Sequence, residues 1–152
     1  MARRDALKQS TMQVFVPFPS PIDVAKCLDR KRLLKQITEC TQIHAAICGE
    51  SKGWLHHPVT RMYGEHWHWL TLYQLCLYSY ASGRYADAEG YDFLARESTP
   101  PFLTDELCDQ HKRRLYTKAP DLYPQFAPYG KSEENWYVVD GQLVKYANGK
   151  RI

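Results

Sequence analysis

The chain has 152 residues, which is enough for one hydrophobic core and too few for two ordinary domains. Hydrophobic residues make up 44% and charged residues 24%, the usage of an ordinary globular protein. The net charge of +3 is too small to indicate a polyanionic partner by itself, but the basic residues are unevenly distributed. One cluster contains Arg30, Lys31, Arg32 and Lys35, a second contains Lys112, Arg113, Arg114 and Lys118, and the tail carries Lys145, Lys150 and Arg151.

Targeting signals and cofactor motifs are missing from the sequence. No run of about 18 apolar residues is present, and the charged amino terminus has no apolar signal segment behind it, so we expect a cytoplasmic protein without membrane contact. The cysteines are odd in number and lack C-x-x-C spacing, which argues against zinc and disulfides and favours small buried side chains. They are Cys27, Cys40, Cys48, Cys76 and Cys108. Without a phosphate loop or an H-E-x-x-H motif, we expect no metal and no cofactor.

The first elements are predicted from prolines and capping residues. Residues 1–11 are polar and lack strand alternation, so they are predicted to be a weakly ordered extension before a domain spanning residues 12–152. Residues 13–19 form an apolar run broken by prolines, which can be an edge strand or an extended arm but not a helix. Ser20, Pro21 and Asp23 then predict the start of a long helix, ending at about Cys48 near Gly49.

The remaining elements are predicted in chain order. Pro58 opens a second, substantially buried helix that runs from residue 59 to about 82. A third helix is predicted over residues 85–97, and a fourth, capped at Thr104, runs to about Lys118. The β-favouring runs on either side of Asp140 and Gly141 predict a hairpin over residues 136–146. The expected fold is mainly α, a compact single-domain helical bundle with a small C-terminal β-hairpin.

The first long helix has two chemically different faces. The apolar face carries Leu33, Ile37, Cys40, His44, Ile47 and Cys48, and the polar face carries Arg32, Lys35, Gln36, Glu39 and Gln42. Spacings of three and four make Arg32, Lys35, Gln36 and Glu39 neighbours on one face. A carboxylate between cations can act as a base, and a partly desolvated lysine can act as a nucleophile. The alternative is a surface salt-bridge network of little consequence.

Three sequence blocks resemble one protein family. They are residues 28–36 with Glu39 and Gln42 behind them, then Gly53-Trp54 with His57-Pro58-Val59-Thr60-Arg61-Met62, and residues 111–115 with 118–123. Together they resemble a divergent branch of the pyrimidine-dimer DNA glycosylases of the phage endonuclease V type. The resemblance implies a compact helical domain acting on double-stranded DNA that carries a damaged or modified base.

The resemblance also implies a mechanism, from which this sequence departs in two places. In that family, the amino-terminal amine attacks C1′ of a flipped-out damaged nucleotide, a glutamate assists, and the imine permits strand cleavage by β-elimination. Here eleven residues precede the family-like segment at Met12, and Lys31 stands where the glutamate is expected. Either Glu39 and Lys35 replace the family's machinery, or the dimer-excising reaction has been lost.

These patterns give each candidate residue an expected role. Glu39 is expected to be a general base or charge stabiliser and Lys35 the imine-forming amine, with His57 and His111 orienting the substrate or transferring protons. Contacts with the nucleic acid, mainly with its phosphates, are expected at Arg30, Lys31, Arg32, Gln36, Arg61, Arg114 and Lys118. Trp54 and Trp136 are expected to stack on bases. Two other functions remain open, a non-catalytic nucleic-acid-binding module and a nucleotide- or base-modifying enzyme that leaves the glycosidic bond intact.

Overall fold

Helices make up most of the computed structural model, which describes residues 12–50 and 53–152. Within those ranges the α-helices are α1 (Pro21–Cys27), α2 (Arg30–Ile47), α3 (Pro58–Tyr63), α4 (Trp67–Ala81), α5 (Tyr85–Arg96) and α6 (Asp105–Lys118). Short 3₁₀ helices span Gly64–His66 and Pro124–Tyr129, and the strands are β1 (Glu134–Val139), β2 (Gln142–Ala147) and β3 (Lys150–Arg151). The mainly α fold with a C-terminal hairpin is confirmed. The predicted extension, residues 1–11, lies outside the described residues.

The core is built around α4, which packs against α1, α2 and α5. Leu70, Tyr73 and Leu77 of α4 are fully buried, as expected from the density of apolar residues in this stretch. The single helix predicted over residues 59–82 is wrong, because the 3₁₀ turn Gly64–His66 separates α3 from α4. Of the described helices, none is both long and apolar enough to cross a membrane.

The predicted first helix is in fact two helices that meet at Leu28 and Asp29. Both residues have extended backbone angles, and the Asp29 carboxylate accepts a hydrogen bond from the backbone N–H of Arg32. An aspartate at this position stabilises a new helix start because it satisfies an N–H that has no partner within the helix. The break therefore places Arg32 in the first turn of α2.

The amino-terminal segment, residues 12–19, forms the extended arm and is neither helix nor strand. Its buried backbone groups are bound by side chains of the surrounding elements instead, as burial requires. Gln36 of α2 accepts from Phe15 N at 2.9 Å and donates to Gln13 O at 3.0 Å, and Tyr73 of α4 donates to Phe15 O at 2.7 Å. The extended-arm alternative of the sequence prediction is therefore confirmed, and the arm lies against α2.

Helix α1 is capped by a residue from α5. Ser20 occupies the N-cap position as predicted, but its side chain forms no capping bond. Its hydroxyl donates to Asp92 at 2.6 Å, and Asp92 also accepts from Ile22 N at 3.1 Å. Asp92 is buried and paired with Arg96. The buried carboxylate thus joins the start of α1 to α5.

The carboxy-terminal sheet extends the predicted hairpin by one strand. Strands β1 and β2 are antiparallel, and Asp140 and Gly141 both have the positive φ that a two-residue type I′ turn requires. Asn148 and Gly149 form a second such turn, after which β3 pairs with β2. Tyr137 of β1 donates its hydroxyl to Met12 O, so the sheet lies against the beginning of the extended arm.

The cysteines divide into buried and accessible side chains, and all of them are free. Cys40, Cys76 and Cys108 are buried as predicted, Cys27 is half-buried, and Cys48 is exposed. The expected burial is wrong for Cys48 because it follows the last residue of α2, where the apolar stripe leaves the core. Within residues 12–50 and 53–152, no three His, Cys, Asp or Glu side chains are grouped as metal ligands.

Candidate functional site

A cavity of about 160 Å³ opens between the extended arm, α2 and the end of α6. Its lining residues are Gln13, Phe15, Lys31, Arg32, Lys35, Gln36, Glu39 and Lys118. The polar face predicted for residues 32–39 therefore lines a concave site. Among the eight lining residues, four carry a positive charge and Glu39 alone carries a carboxylate.

The Glu39 carboxylate is held in a defined position inside the cavity. One oxygen accepts a hydrogen bond from Gln36 Nε2 at 3.1 Å, and the other lies 3.7 Å from Lys35 Nζ. The Glu39 side chain is only 13% exposed. Burial raises the pKa of Glu39, although the positive charges of Lys35 and Lys118 act in the opposite direction. A carboxyl group of raised pKa is suited to proton transfer nearer to neutral pH.

Gln36 lines the cavity but uses its amide inside the protein. It is 2% exposed, and its amide nitrogen binds both Gln13 O and Glu39 while its oxygen accepts from Phe15 N and from the Tyr73 hydroxyl. Its predicted role as a nucleic-acid contact is therefore not supported, because both ends of the amide are already bonded. Gln36 instead fixes Glu39 and the arm relative to each other.

Arg32 is oriented by residues outside the cavity. Its guanidinium lies 3.2 Å from the Asp29 carboxylate and stands over the ring of Tyr123. The Tyr123 hydroxyl in turn donates a hydrogen bond to Asp29. Partial burial opposes the charge of Asp29, but the hydrogen bonds from Tyr123 and Arg32 outweigh it and lower the pKa of Asp29. The carboxylate therefore stays ionised and holds Arg32 at the cavity wall.

The lysines at the cavity differ in their surroundings. The Lys35 side chain is 68% exposed and points to Glu39, whereas Lys118 projects from the last turn of α6. Partial burial of the ammonium, together with the positive charges of Arg114, Lys35 and Arg32, lowers the pKa of Lys118. The pKa of Lys118 thus lies below that of an ordinary lysine.

The two candidate histidines do not line the cavity. His111 is 1% exposed, and its Nδ1 accepts from Val16 N at 2.8 Å while its Nε2 lies 3.2 Å from Gln13 Nε2. His57 caps α3 by accepting from Val59 N at 2.9 Å. Burial lowers the pKa of His111 to about 3 and that of His57 to about 4. Their predicted contact with substrate is not supported, because both rings are buried in structural contacts.

Five other predicted contacts also lie away from the cavity. Arg114 is buried, and its guanidinium donates to Asn135 Oδ1 at 3.0 Å and to Ser132 O at 2.8 Å. Three of the others have contacts of their own: Arg61 pairs with Asp140 at 2.8 Å, Trp54 packs on His57, and Trp136 lies beneath the Lys145 ammonium. Arg30 is exposed at the start of α2 and is not a lining residue. The structure thus concentrates the predicted site on residues 31–39 and Lys118.

Sequence reasoning missed the residues that the arm contributes. Gln13 and Phe15 line the cavity, and their proximity to α2 depends on contacts between residues more than 20 positions apart. Asp29 was also missed, although an aspartate three residues before Arg32 at a helix start is a recognisable capping signal. Local patterns therefore locate one wall of the site, and tertiary packing supplies the other.

Comparison with known proteins gives one match. A family model described as pyrimidine dimer DNA glycosylase matches residues 12–89. No curated protein and no solved structure matches the chain. The matched range contains the extended arm, α1 to α4 and every lining residue of the cavity except Lys118.

Proposed function

Because the chain belongs to the pyrimidine dimer DNA glycosylase family, we propose that it cleaves the bond between base and sugar at a damaged or modified nucleotide in double-stranded DNA. The reaction takes place in the cavity that contains Glu39. The observation that carries this proposal is one held carboxylate among four cationic side chains, of which all but Lys118 lie on the part of the chain that matches the family.

The charges of the cavity suit glycosidic bond cleavage. As the bond to the base breaks, positive charge develops on the sugar at C1′, and a preorganised carboxylate stabilises that charge. Glu39 is the lining residue that can do so, and the hydrogen bond from Gln36 fixes its orientation. A base inside a duplex is not accessible to such a group, so the nucleotide has to leave the helical stack first.

The basic side chains of the cavity are proposed to bind the phosphates of the DNA. Lys31, Arg32 and Lys35 are neighbours on α2 and can neutralise the phosphates on either side of the reacting nucleotide. Arg32 is already oriented by Asp29, so less conformational freedom is lost when it binds a phosphate. The cavity of about 160 Å³ is below the roughly 300–1,000 Å³ of pockets that enclose a drug-sized ligand. It therefore takes the reacting sugar rather than a whole pair of linked nucleotides.

The proposal is tested with the full chain on a panel of end-labelled duplexes. Each duplex carries one lesion or modified base, and the panel includes cyclobutane pyrimidine dimers, oxidised pyrimidines and alkylated purines. Released base and abasic sites, the latter revealed by alkaline cleavage, are measured against an undamaged duplex of the same sequence. We expect abasic sites from one lesion class and none from the undamaged duplex. Salt-dependent DNA binding without base release from any member would instead indicate a non-catalytic binding module.

A further inference from the structure

Helix α5 presents its larger apolar side chains to solvent. Its inner face, which packs against α4 and α1, carries the buried residues Ala88, Asp92 and Ala95. On the opposite face, Phe93 and Leu94 are 58% and 49% exposed. A surface helix ordinarily has the reverse arrangement, with its large apolar residues against the core and its small or polar residues outside. The outer face of α5 therefore resembles a contact surface.

The outer face of α5 also has the spacing of a buried stripe. Its members lie at positions i, i+4, i+7 and i+8, the pattern by which a helix packs one side against another element. They are Ala86, Gly90, Phe93 and Leu94, and all four are exposed. None of them lines the cavity that contains Glu39, so this surface is separate from the proposed reaction site.

Gly90 lies in the middle of this stripe, although its own molecule does not require a glycine there. Its φ is not positive, and an added Cβ would meet no atom within 4 Å in the part of the chain that the structure describes. Glycine inside a helix is less stable than alanine because it loses more backbone freedom on folding. The close approach of a second helix at Gly90 would require a residue without a side chain and accounts for this glycine.

We propose that two copies of the chain associate through α5, with the two helices antiparallel and centred on Gly90. The small residues Ala86 and Gly90 form the first half of the stripe, and the large residues Phe93 and Leu94 form the second half. An antiparallel pair places the small half of each helix against the large half of the other. A parallel pair would place the large side chains against each other. The two-fold symmetric contact closes after two copies.

The charges at the two ends of α5 favour the same arrangement. Arg84 is the N-cap residue and Glu97 the C-cap residue, and both are exposed. Their signs are opposite to those that the dipole of their own helix favours, since its N-terminus attracts negative and its C-terminus positive charge. In an antiparallel pair centred on Gly90, Arg84 of each copy lies beside Glu97 of the other. Each charge then meets both an opposite charge and the favourable end of the second helix.

The oligomeric state of the full chain tests this proposal, measured by sedimentation velocity from low micromolar to several hundred micromolar protein. Two helices of this length form less than a standard interface, so we expect a reversible dimer with a micromolar dissociation constant. Gly90→Leu should raise that constant by about 10-fold or more, because the new side chain has room in one copy but not in the pair. The melting temperature of the dilute monomer should not decrease, since leucine favours a helix more than glycine.

A matched pair of variants tests the apolar contact. Phe93→Ser should weaken association by about 10-fold or more, because it removes a large side chain from the centre of the contact. The control is Leu122→Ser, which changes an apolar residue of similar exposure, 54%, outside α5 and should leave the dissociation constant at the parental value.

Charge exchange tests the antiparallel arrangement. Arg84→Glu and Glu97→Arg should each weaken self-association by about 10-fold, because each replaces two attractive pairs of the dimer with two repulsive ones. An equimolar mixture of these two variants should form heterodimers with the parental dissociation constant, because both pairs are then again opposite in sign.

Three results would overturn the proposal. The first is a chain that stays monomeric over the whole concentration range. The second is a dimer whose dissociation constant is the same in Gly90→Leu and Phe93→Ser as in the parent, because its contact would lie elsewhere. The third is a mixture of the two charge variants that associates no better than either variant alone. Because α5 contributes no residue to the cavity, these results are independent of the glycosylase proposal.

Discussion

Gln36 donates a hydrogen bond of 3.1 Å to Glu39, three residues further along the same helix. The same amide nitrogen also donates to the backbone carbonyl of Gln13 at 3.0 Å. One buried side chain therefore sets the position of the carboxylate relative to the extended arm. The bond also favours the charged form of Glu39 against the burial that raises its pKa.

Replacing Gln36 with Met should change the pH dependence of base release. The variant loses a donor that favours ionised Glu39, so the pKa of Glu39 rises further. If ionised Glu39 is the active form, activity increases as the pH rises through this pKa, and the acidic limb of the rate profile should move to higher pH. Single-turnover rates over an acidic to neutral pH series measure the shift.

The control for Gln36→Met is Gln74→Met. Gln74 of α4 donates to Ile37 O and to the Thr41 hydroxyl, so its loss also removes helix-to-helix hydrogen bonds but does not touch Glu39. Gln36→Met should lower the free energy of unfolding by about 1–3 kcal/mol because it leaves buried groups unsatisfied, and Gln74→Met should lower it less because its partners are only partly buried or exposed. A profile for Gln36→Met that coincides with that of Gln74→Met would show that Gln36 has no effect on Glu39.

DNA binding should depend on Lys31 and Lys35 and not on Arg114. Each Lys→Ala substitution should lower the slope of log K against log salt by about one unit, because one phosphate contact and its counterion release are lost. Arg114→Met should leave the slope unchanged and lower the free energy of unfolding, since Arg114 is bonded to Asn135 and Ser132 inside the protein. Binding isotherms over a salt series measure this. A reduced slope for Arg114→Met would place Arg114 at the DNA.

The free energy of unfolding should decrease in acid because His111 is buried as a neutral imidazole. Burial lowers its pKa from the ordinary 6.5 to about 3. Between these two values the unfolded chain binds a proton at His111 that the folded protein does not bind. The contribution of His111 to the free energy of unfolding is therefore complete above pH 6.5 and decreases as the pH falls toward 3. For one proton, the free energy of unfolding decreases by up to about 1.4 kcal/mol per pH unit.

Urea unfolding over a pH series compares the parent protein with His111→Gln. The glutamine oxygen can still accept a hydrogen bond from Val16 N, so the variant isolates the titration from the loss of the contact. We expect a shallower decline of unfolding free energy in acid for the variant. His57, whose pKa is also lowered by burial, should maintain part of the decline in both proteins. If the unfolding free energies of the two proteins decrease in parallel as the pH falls, the decline does not come from His111.

Turn and capping signals predicted much of the fold because they act over a few residues. Thr104 accepts from Leu107 N at 3.2 Å, as its position before α6 predicts, and Asp140 and Gly141 form the predicted turn. Asn148 and Gly149, which precede β3, are the same kind of signal, although the predicted hairpin ends at residue 146. Asp29 likewise marked the helix break.

Contacts between residues far apart in the sequence could not be predicted from local sequence patterns. Periodicity placed Gln36 on a polar face, but the extended arm covers it, and its amide is used to bind the arm. His111 is predicted to orient the substrate or transfer protons, yet its Nδ1 accepts a hydrogen bond from the backbone N–H of Val16 in the same arm. In both cases a polar side chain satisfies buried backbone that lies far away in the sequence. Such pairings depend on tertiary packing and leave no local pattern.

The Glu39→Gln substitution tests the central claim most directly. It keeps the shape of the side chain and removes the charge that is proposed to stabilise C1′. On whichever duplex of the panel the parent protein processes, single-turnover base release should fall by about 100-fold or more, with unfolding free energy and DNA affinity nearly unchanged. The matched control is Glu89→Gln at an exposed position of α5, which should act at the parental rate. Base release by Glu39→Gln at the parental rate would contradict the account and place the chemistry outside this cavity.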